Sequence, residues 1–172
     1  LGGTCSITTL ANAGILSHSG TGAITTALAN FTNTGTINIS GSGTITGITN
    51  NAAGIVNHSG SSTITSFDNA TATSTLNIST TPTVPTFTAL TVSTAGNTVN
   101  YTGAGAQTVR TGTAFSNLGL SGSGAKTMTG VTAIGNNFSM SGSATATTVI
   151  TTIGGNVDIS GTASKKLMSI RV

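Results

Sequence analysis

The sequence predicts an all-β chain folded as a parallel β-helix (β-solenoid) of about eight coils of about twenty residues each. Three observations predict it. Two short motifs return in register at one period, and each alternates apolar with small polar residues, the pattern of a strand. Gly, Asn and Ser lie between the motifs and suit tight corners. No stretch carries a helical stripe with caps.

The first motif is apolar, any residue, apolar or ring, Ser or Thr, then usually Gly. It reads Leu16, Ser17, His18, Ser19, Gly20 and recurs from Ile37, Val56 and Leu76, at steps of 21, 19 and 20 residues. It resumes from Leu90 and Val99, then from Leu118, Phe138 and Val157, the last three 20 and 19 residues apart. The second motif is apolar, usually Thr, apolar, then Asn. Copies run from Ile7, Ile24, Ile45 and Ile64 to Asn12, Asn30, Asn50 and Asn69, with looser copies ending at Asn117, Asn136 and Asn156.

A twenty-residue unit holds two or three short strands and cannot enclose a core alone. Stacking equivalent units solves this, since each strand pairs with its counterpart one coil on at ~4.8 Å. Inward columns then follow: Leu16, Ile37, Val56 and Leu76 in one, Ile24, Ile45 and Ile64 in another. Pro82 and Pro85 interrupt the period, because proline offers no N–H to a central ladder. The spacing survives on both sides. Residues 1–172 are therefore expected to form a single solenoid with a local loop at 80–86, a module junction there being the alternative.

Composition excludes several classes. Only 4% of residues are charged, against roughly a quarter in ordinary domains. The net charge of +3 reflects scarce acids, and three basic residues, Lys165, Lys166 and Arg171, lie together at the end. Nucleic-acid binding calls for a Lys/Arg stripe, often with stacking aromatics, and neither is present. No apolar run reaches the ~18 residues of a membrane span. Cys5 is the single cysteine, so no internal disulfide forms, and it reads as a small buried or terminal residue. The chain begins at Leu1 rather than Met with no visible signal peptide, so a processed product or a segment of something longer is expected.

The run Gly96, Asn97, Thr98, Val99, Asn100, Tyr101, Thr102, Gly103 to Val109, followed by Asn117 to Met128 and Asn136 to Gly142, resembles the β-strand repeats of very large bacterial surface proteins. These are adhesin-like or filament-like, akin in architecture to filamentous haemagglutinin. The resemblance covers about residues 90–161. It implies secretion to the cell surface, a parallel β-helix, and a structural or adhesive role. It brings no catalytic residues.

The candidate chemistry is sparse. His18 and His58 share a motif position that is otherwise mostly apolar, so inward-facing imidazoles are expected. Two coils apart, the rings would be ~10 Å from each other, too far to share a metal at ~2 Å bond lengths. Asp68 and Asp158 are the only carboxylates and lie several coils apart, which suits neither paired-carboxylate catalysis nor a calcium site. No Ser or Thr is flanked by His and Asp in a nucleophile motif. No catalytic residue, metal or cofactor is expected, and the chain reads as a non-enzyme.

Asn12, Asn30, Asn50, Asn69, Asn117, Asn136 and Asn156 suit a corner ladder of stacked amides, coil bonded to coil. The Asn-x-Ser/Thr sequons at Asn30, Asn38, Asn57, Asn69, Asn77, Asn100 and Asn137 are what such a composition produces by chance. Thr44 and Thr46 flank Ile45, Thr63 and Thr65 flank Ile64, and Thr127 and Thr129 flank Met128. Flat Thr-x-Thr arrays of this kind could bind glycans or an ordered surface such as ice, though Ala23 and Arg110 break the array.

The expected role is a structural or adhesive module of an extracellular bacterial surface protein or fibre. The alternative is a glycan- or surface-binding solenoid acting through a Thr/Ser/Asn face. Leu1 to Ile7 and Leu167 to Val172 are apolar and carry no polar cap. A homo-oligomer or filament, by end-to-end or lateral packing, is the expected partnership, with surface glycans as possible ligands.

Overall fold

The computed structural model describes residues 5–7, 9–26, 31–81, 85–148, 150, 152–162 and 165–167. Among them there is no helix, and every strand pairing is parallel. The chain is a β-solenoid. Its backbone is one long sheet of eight strands: Ile15–His18, Thr36–Ile39, Ile55–His58, Thr75–Ile78, Thr98–Tyr101, Asn117–Leu120, Phe138–Met140 and Val157–Ile159. Eight rungs enclose about seven turns, against the eight coils read from the motifs. Pairing is in register throughout, and Thr75–Ile78 pairs with Thr98–Tyr101 straight across the proline-containing segment.

The register builds the core. Ile37, Val56, Leu76, Val99, Leu118 and Phe138 stack as one buried column. Two residues along each strand, His18, Ile39, His58, Ile78, Tyr101, Leu120 and Met140 form a second. The opposite wall is a seven-stranded sheet that contributes Ile24, Ile45, Ile64 and Phe87, then Phe31, Ile48, Phe67 and Leu90. Each fully buried aliphatic side chain contributes about 2 kcal/mol relative to exposure. The enclosed space is only two walls deep, so ladder hydrogen bonds carry much of the remaining cohesion.

The glycine that closes the first motif has a steric cause. A Cβ on Gly41 would lie 2.1 Å from Gly20 O, and one on Gly60 would lie 2.1 Å from Gly41 O. The corner of each coil rests on the carbonyl of the one before. In the fourth coil Thr80 stands at this place, and its Oγ1 donates to Gly60 O at 2.8 Å. From Gly122 on the corner changes geometry. Gly122, Gly142 and Gly161 adopt φ of 75, 66 and 81°, whereas Gly41 and Gly60 keep ordinary negative φ.

The far wall changes too, and one coil earlier, between the coils whose corners are Thr80 and Gly103. In the first half the chain reaches that wall six residues after the long sheet, from Ile39 to Ile45. In the second half the strand begins only three residues on, from Leu120 to Ser123. The seven-stranded sheet ends at Phe87–Thr91, which pairs only with Ile64–Asn69 among the described residues. A separate four-stranded sheet begins at Gln107–Thr108 and runs through Ser123–Met128, Ser143–Thr148 and Lys165–Leu167. A two-stranded sheet, Ala133–Ile134 with Thr152–Ile153, closes the third side. No strand pairing joins Phe87–Thr91 of the fourth coil to Gln107–Thr108 of the fifth. The stack thus has a fault on one wall and none on the other. Pro85 borders the fault; Pro82, Thr83 and Val84 lie outside the described residues.

Candidate functional site

The outward face of the long sheet is the most regular surface of the molecule. Strand residues that do not point inward form three rows along the stack. The middle row is Ser17, Asn38, Asn57, Asn77, Asn100, Gly119, Ser139 and Asp158. On one side run Ile15, Thr36, Ile55, Thr75 and Thr98. On the other run Ser40, Ser59, Ser79, Thr102, Ser121, Ser141 and Ser160, each held by a backbone bond to the preceding coil. The rows form a lattice of about 4.8 Å along the stack by about 6.7 Å along the strands.

The asparagines of the middle row are bonded into a chain. Asn57 Nδ2 donates to Asn38 Oδ1, Asn77 Nδ2 to Asn57 Oδ1, and Asn100 Nδ2 to Asn77 Oδ1, each at 2.9 Å. Gly119 follows, where a Cβ would meet Asn100 Oδ1 at 2.2 Å unless that amide turned aside. The amides are half-buried and fixed in orientation before anything binds. The face carries no charge until Asp158 at its far end. Ile15 and Ile55, 77% and 38% exposed, add an apolar margin at the near end.

This ladder was readable in part. Asn38, Asn57, Asn77 and Asn100 occupy the second place of the first motif, but attention to the apolar places hides it. The threonines singled out by the sequence lie elsewhere. Thr44, Thr46, Thr63 and Thr65 flank the buried Ile45 and Ile64 on the seven-stranded sheet, with Thr46 and Thr63 half-buried. Thr127 and Thr129 are exposed on the other side of the fault, beside the four-stranded sheet. The two groups do not share a plane of paired strands.

The corner amides form an internal ladder. Asn12 Nδ2 donates to Asn33 Oδ1 at 2.7 Å, Asn33 Nδ2 to Asn50 Oδ1 at 2.8 Å, and Asn50 Nδ2 to Asn69 Oδ1 at 2.9 Å. Asn30 lies outside the described residues, and Asn33 supplies the rung in its coil. The chain of amides changes form past Asn69. Asn97, Asn117 and Asn137 continue it through backbone atoms: Asn117 Nδ2 donates to Asn97 O at 2.9 Å, and Asn117 Oδ1 accepts from Asn137 N at 3.1 Å. Asn156 donates its backbone N–H to Asn137 Oδ1, while Asn136 contributes its backbone N–H, donating to Ser116 O.

Both histidines are buried among apolar neighbours. His18 Nε2 contacts Gly22 O at 2.7 Å. His58 packs edge-on against Phe87 with ring centroids 6.3 Å apart, and burial pushes its pKa down to about 4. Among the described residues no group of three or more His, Cys, Asp or Glu side chains could hold a metal, and no helix is long and apolar enough to cross a membrane. The strand Cys5–Ile7 pairs with Ile24–Thr26, which places Cys5 opposite Ile24 in the first coil.

One buried cation was not anticipated. Lys126 is fully buried, and its Nζ donates to Gly103 O and Gln107 Oε1 at 2.7 Å and to Gly105 O at 3.1 Å. Gln107 sits directly below it in the stack and donates Nε2 to Ile78 O and Thr80 O. Burial pushes the Lys126 pKa down. All these acceptors are neutral oxygens, so the ammonium plugs the corner rather than pairing with an acid.

The fold makes the chain a β-solenoid repeat protein. No family model, curated protein or solved structure matches it.

Proposed function

We propose that the chain is a structural or adhesive module of an extracellular bacterial surface protein or fibre, with rods able to join end to end. The observation that carries this reading is the long sheet: eight strands in unbroken parallel register, whose outermost members, Ile15–His18 and Val157–Ile159, each pair on one side only among the described residues. An outermost parallel strand with apolar residues above and below accepts a further coil of the same kind. The likeness of residues 90–161 to bacterial surface repeats supports the same reading, as does a composition with almost no charge. Electron microscopy and sedimentation of the purified chain test it. Concentration-dependent fibrils or multiples of the rod length are expected, and short monomeric rods at high concentration would refute it.

A second reading rests on the uncharged lattice of the long sheet. Ordered amides and hydroxyls at a fixed spacing suit a repeating hydroxyl-rich partner, such as a glycan chain or an ice surface. Binding on a glycan array, or inhibition of ice recrystallisation, weakened by Asn57→Asp and Asn77→Asp, is the expected result. An array without hits together with unaltered ice growth would sink it.

A further inference from the structure

The fault in the far wall leaves a cavity of about 310 Å³ between the fourth and fifth coils. We propose that this cavity binds a small organic monocarboxylate with a ring-sized apolar body, gripped by Arg110 and Tyr101. The reading is independent of the role assigned above to the rod as a whole.

The cavity exists because two walls do not meet. Phe87–Thr91 ends one sheet and Gln107–Thr108 begins another, so the space that a paired strand would fill stays open. Phe87, Tyr101 and Val109, each 4% exposed or less, line it with apolar surface. Ligand pockets start at roughly 300 Å³ and combine such walls with a few convergent polar groups. Here those groups are Arg110 and Tyr101.

Arg110 reaches across the fault and donates to Phe87 O, with Thr88 O a second acceptor at 3.4 Å. Guanidinium has five N–H donors in a planar fork. Both acceptors are neutral carbonyls, so among the described residues the positive charge has no counter-charge in contact. Neither carboxylate of the chain is placed to supply one. Asp68 is in register with Thr91, four residues along the strand from Phe87 and so ~13 Å away. Asp158 lies on the last rung of the other wall.

Tyr101 supplies the second observation. Its side chain is 1% exposed and lines the cavity. The phenol oxygen accepts from Arg110 N at 3.1 Å. Among the described residues its own O–H has no acceptor, and burial pushes its pKa up to about 12, so the hydrogen stays on the oxygen. A fork of N–H donors and one O–H, both beside apolar rings, complement a single carboxylate with a ring behind it. A neutral analogue forfeits the charge-assisted bonds, and a dianion would bring a second charge with nothing to meet it.

Benzoate is the probe, with benzamide as its neutral counterpart, titrated against the full chain by calorimetry and ligand-observed NMR. Benzoate is expected to bind at least about tenfold more tightly than benzamide. Arg110→Gln should abolish that preference. Because Arg110 also ties the two coils together, two further variants keep the test decisive. Tyr101→Phe removes the hydroxyl and with it the bond from Arg110 N, so it should lower the melting temperature by a few degrees and weaken benzoate several-fold in protein that is still folded. Thr111→Trp, from the exposed rim, should block the cavity and abolish binding with Arg110 intact. Equal binding of benzoate and benzamide, indifference to Tyr101→Phe and Thr111→Trp in folded protein, or no saturable binding by about 10 mM would overturn the proposal.

Discussion

Asn50 donates its side-chain amide to Asn69 Oδ1 at 2.9 Å and, from the same nitrogen, to Gly54 O at 2.9 Å and Thr75 O at 3.1 Å. One buried side chain thus ties its own turn to the coil above. Asn50→Ala is expected to cost about 3 kcal/mol, since it strips donors from buried carbonyls that no water replaces. The half-buried Asn57 on the outer face makes only ladder bonds, and Asn57→Ala should cost about 1 kcal/mol. Urea denaturation of the two variants checks the ranking.

Gly122 combines a φ of 75° with a backbone that leaves no room, since a Cβ would lie 2.4 Å from Gly103 O. Gly122→Ala should therefore cost at least about 2 kcal/mol. Gly112 has a φ of 66°, but a Cβ there would meet nothing within 4 Å, so Gly112→Ala should show the backbone penalty alone, about 1 kcal/mol. Thermal melts of the two alanine variants separate crowding from conformation.

His58 titrates at about 4 when folded, below its ordinary 6.5, because burial penalises the imidazolium. The unfolded chain binds the proton first. Stability is therefore full above pH 6.5, falls as pH drops from 6.5 to about 4, and is lost to the extent of about 3 kcal/mol below that. The same column holds Ile39 and Ile78, so His58→Leu suits the site and should remove this part of the acid sensitivity. Denaturation midpoints across that window, in parent and variant, measure the difference.

Lys126 has the same sign at the other end of the scale. Its folded pKa lies below the ordinary 10.5, so the unfolded chain holds the proton to higher pH. Folding is penalised by the charge at neutral pH, and the penalty is relieved as pH rises from the folded value towards 10.5. Lys126→Met should remove that alkaline rise. It should also lower stability at neutral pH by about 2 kcal/mol, because Gly103 O and Gln107 Oε1 lose a charged donor. Chemical denaturation at neutral and alkaline pH reads both effects.

The β-solenoid was legible because its cause is periodic. Ile37, Val56 and Leu76 recur at the spacing of one coil, and glycine recurs wherever a Cβ would strike the carbonyl below, as at Gly41 and Gly60. The place of the fault was legible in part, since Pro82 and Pro85 interrupt the period and equivalent residues Asn77 and Asn100 stand 23 apart, but the change in how each coil is divided was not. The far-wall strand starts at Ile45, six residues after Ile39, in one half and at Ser123, three after Leu120, in the other, and the remainder of the coil recovers the difference. Asn33 escaped notice for a related reason: its coil offers asparagines at 30 and 33, and only pairing with Asn12 and Asn50 distinguishes them. Lys126 gave no signal either. A lone lysine reads as surface, and only the three oxygens around its ammonium show otherwise.

The uneven stacking has a mechanical consequence. A pull along the rod is borne by hydrogen bonds between coils, and elsewhere at least two sheets share it. Between the fourth and fifth coils the only paired strands among the described residues are Thr75–Ile78 and Thr98–Tyr101, helped by the Gln107 amide on Ile78 O and Thr80 O, the Arg110 side chain on Phe87 O, and a single backbone bond from Ser116 N to Val92 O. Under tension the molecule should part there before anywhere else, opening like a book along the spine of the long sheet. A rod that yields at one chosen rung, and re-zips when the load falls, absorbs shocks that a uniform one would pass on.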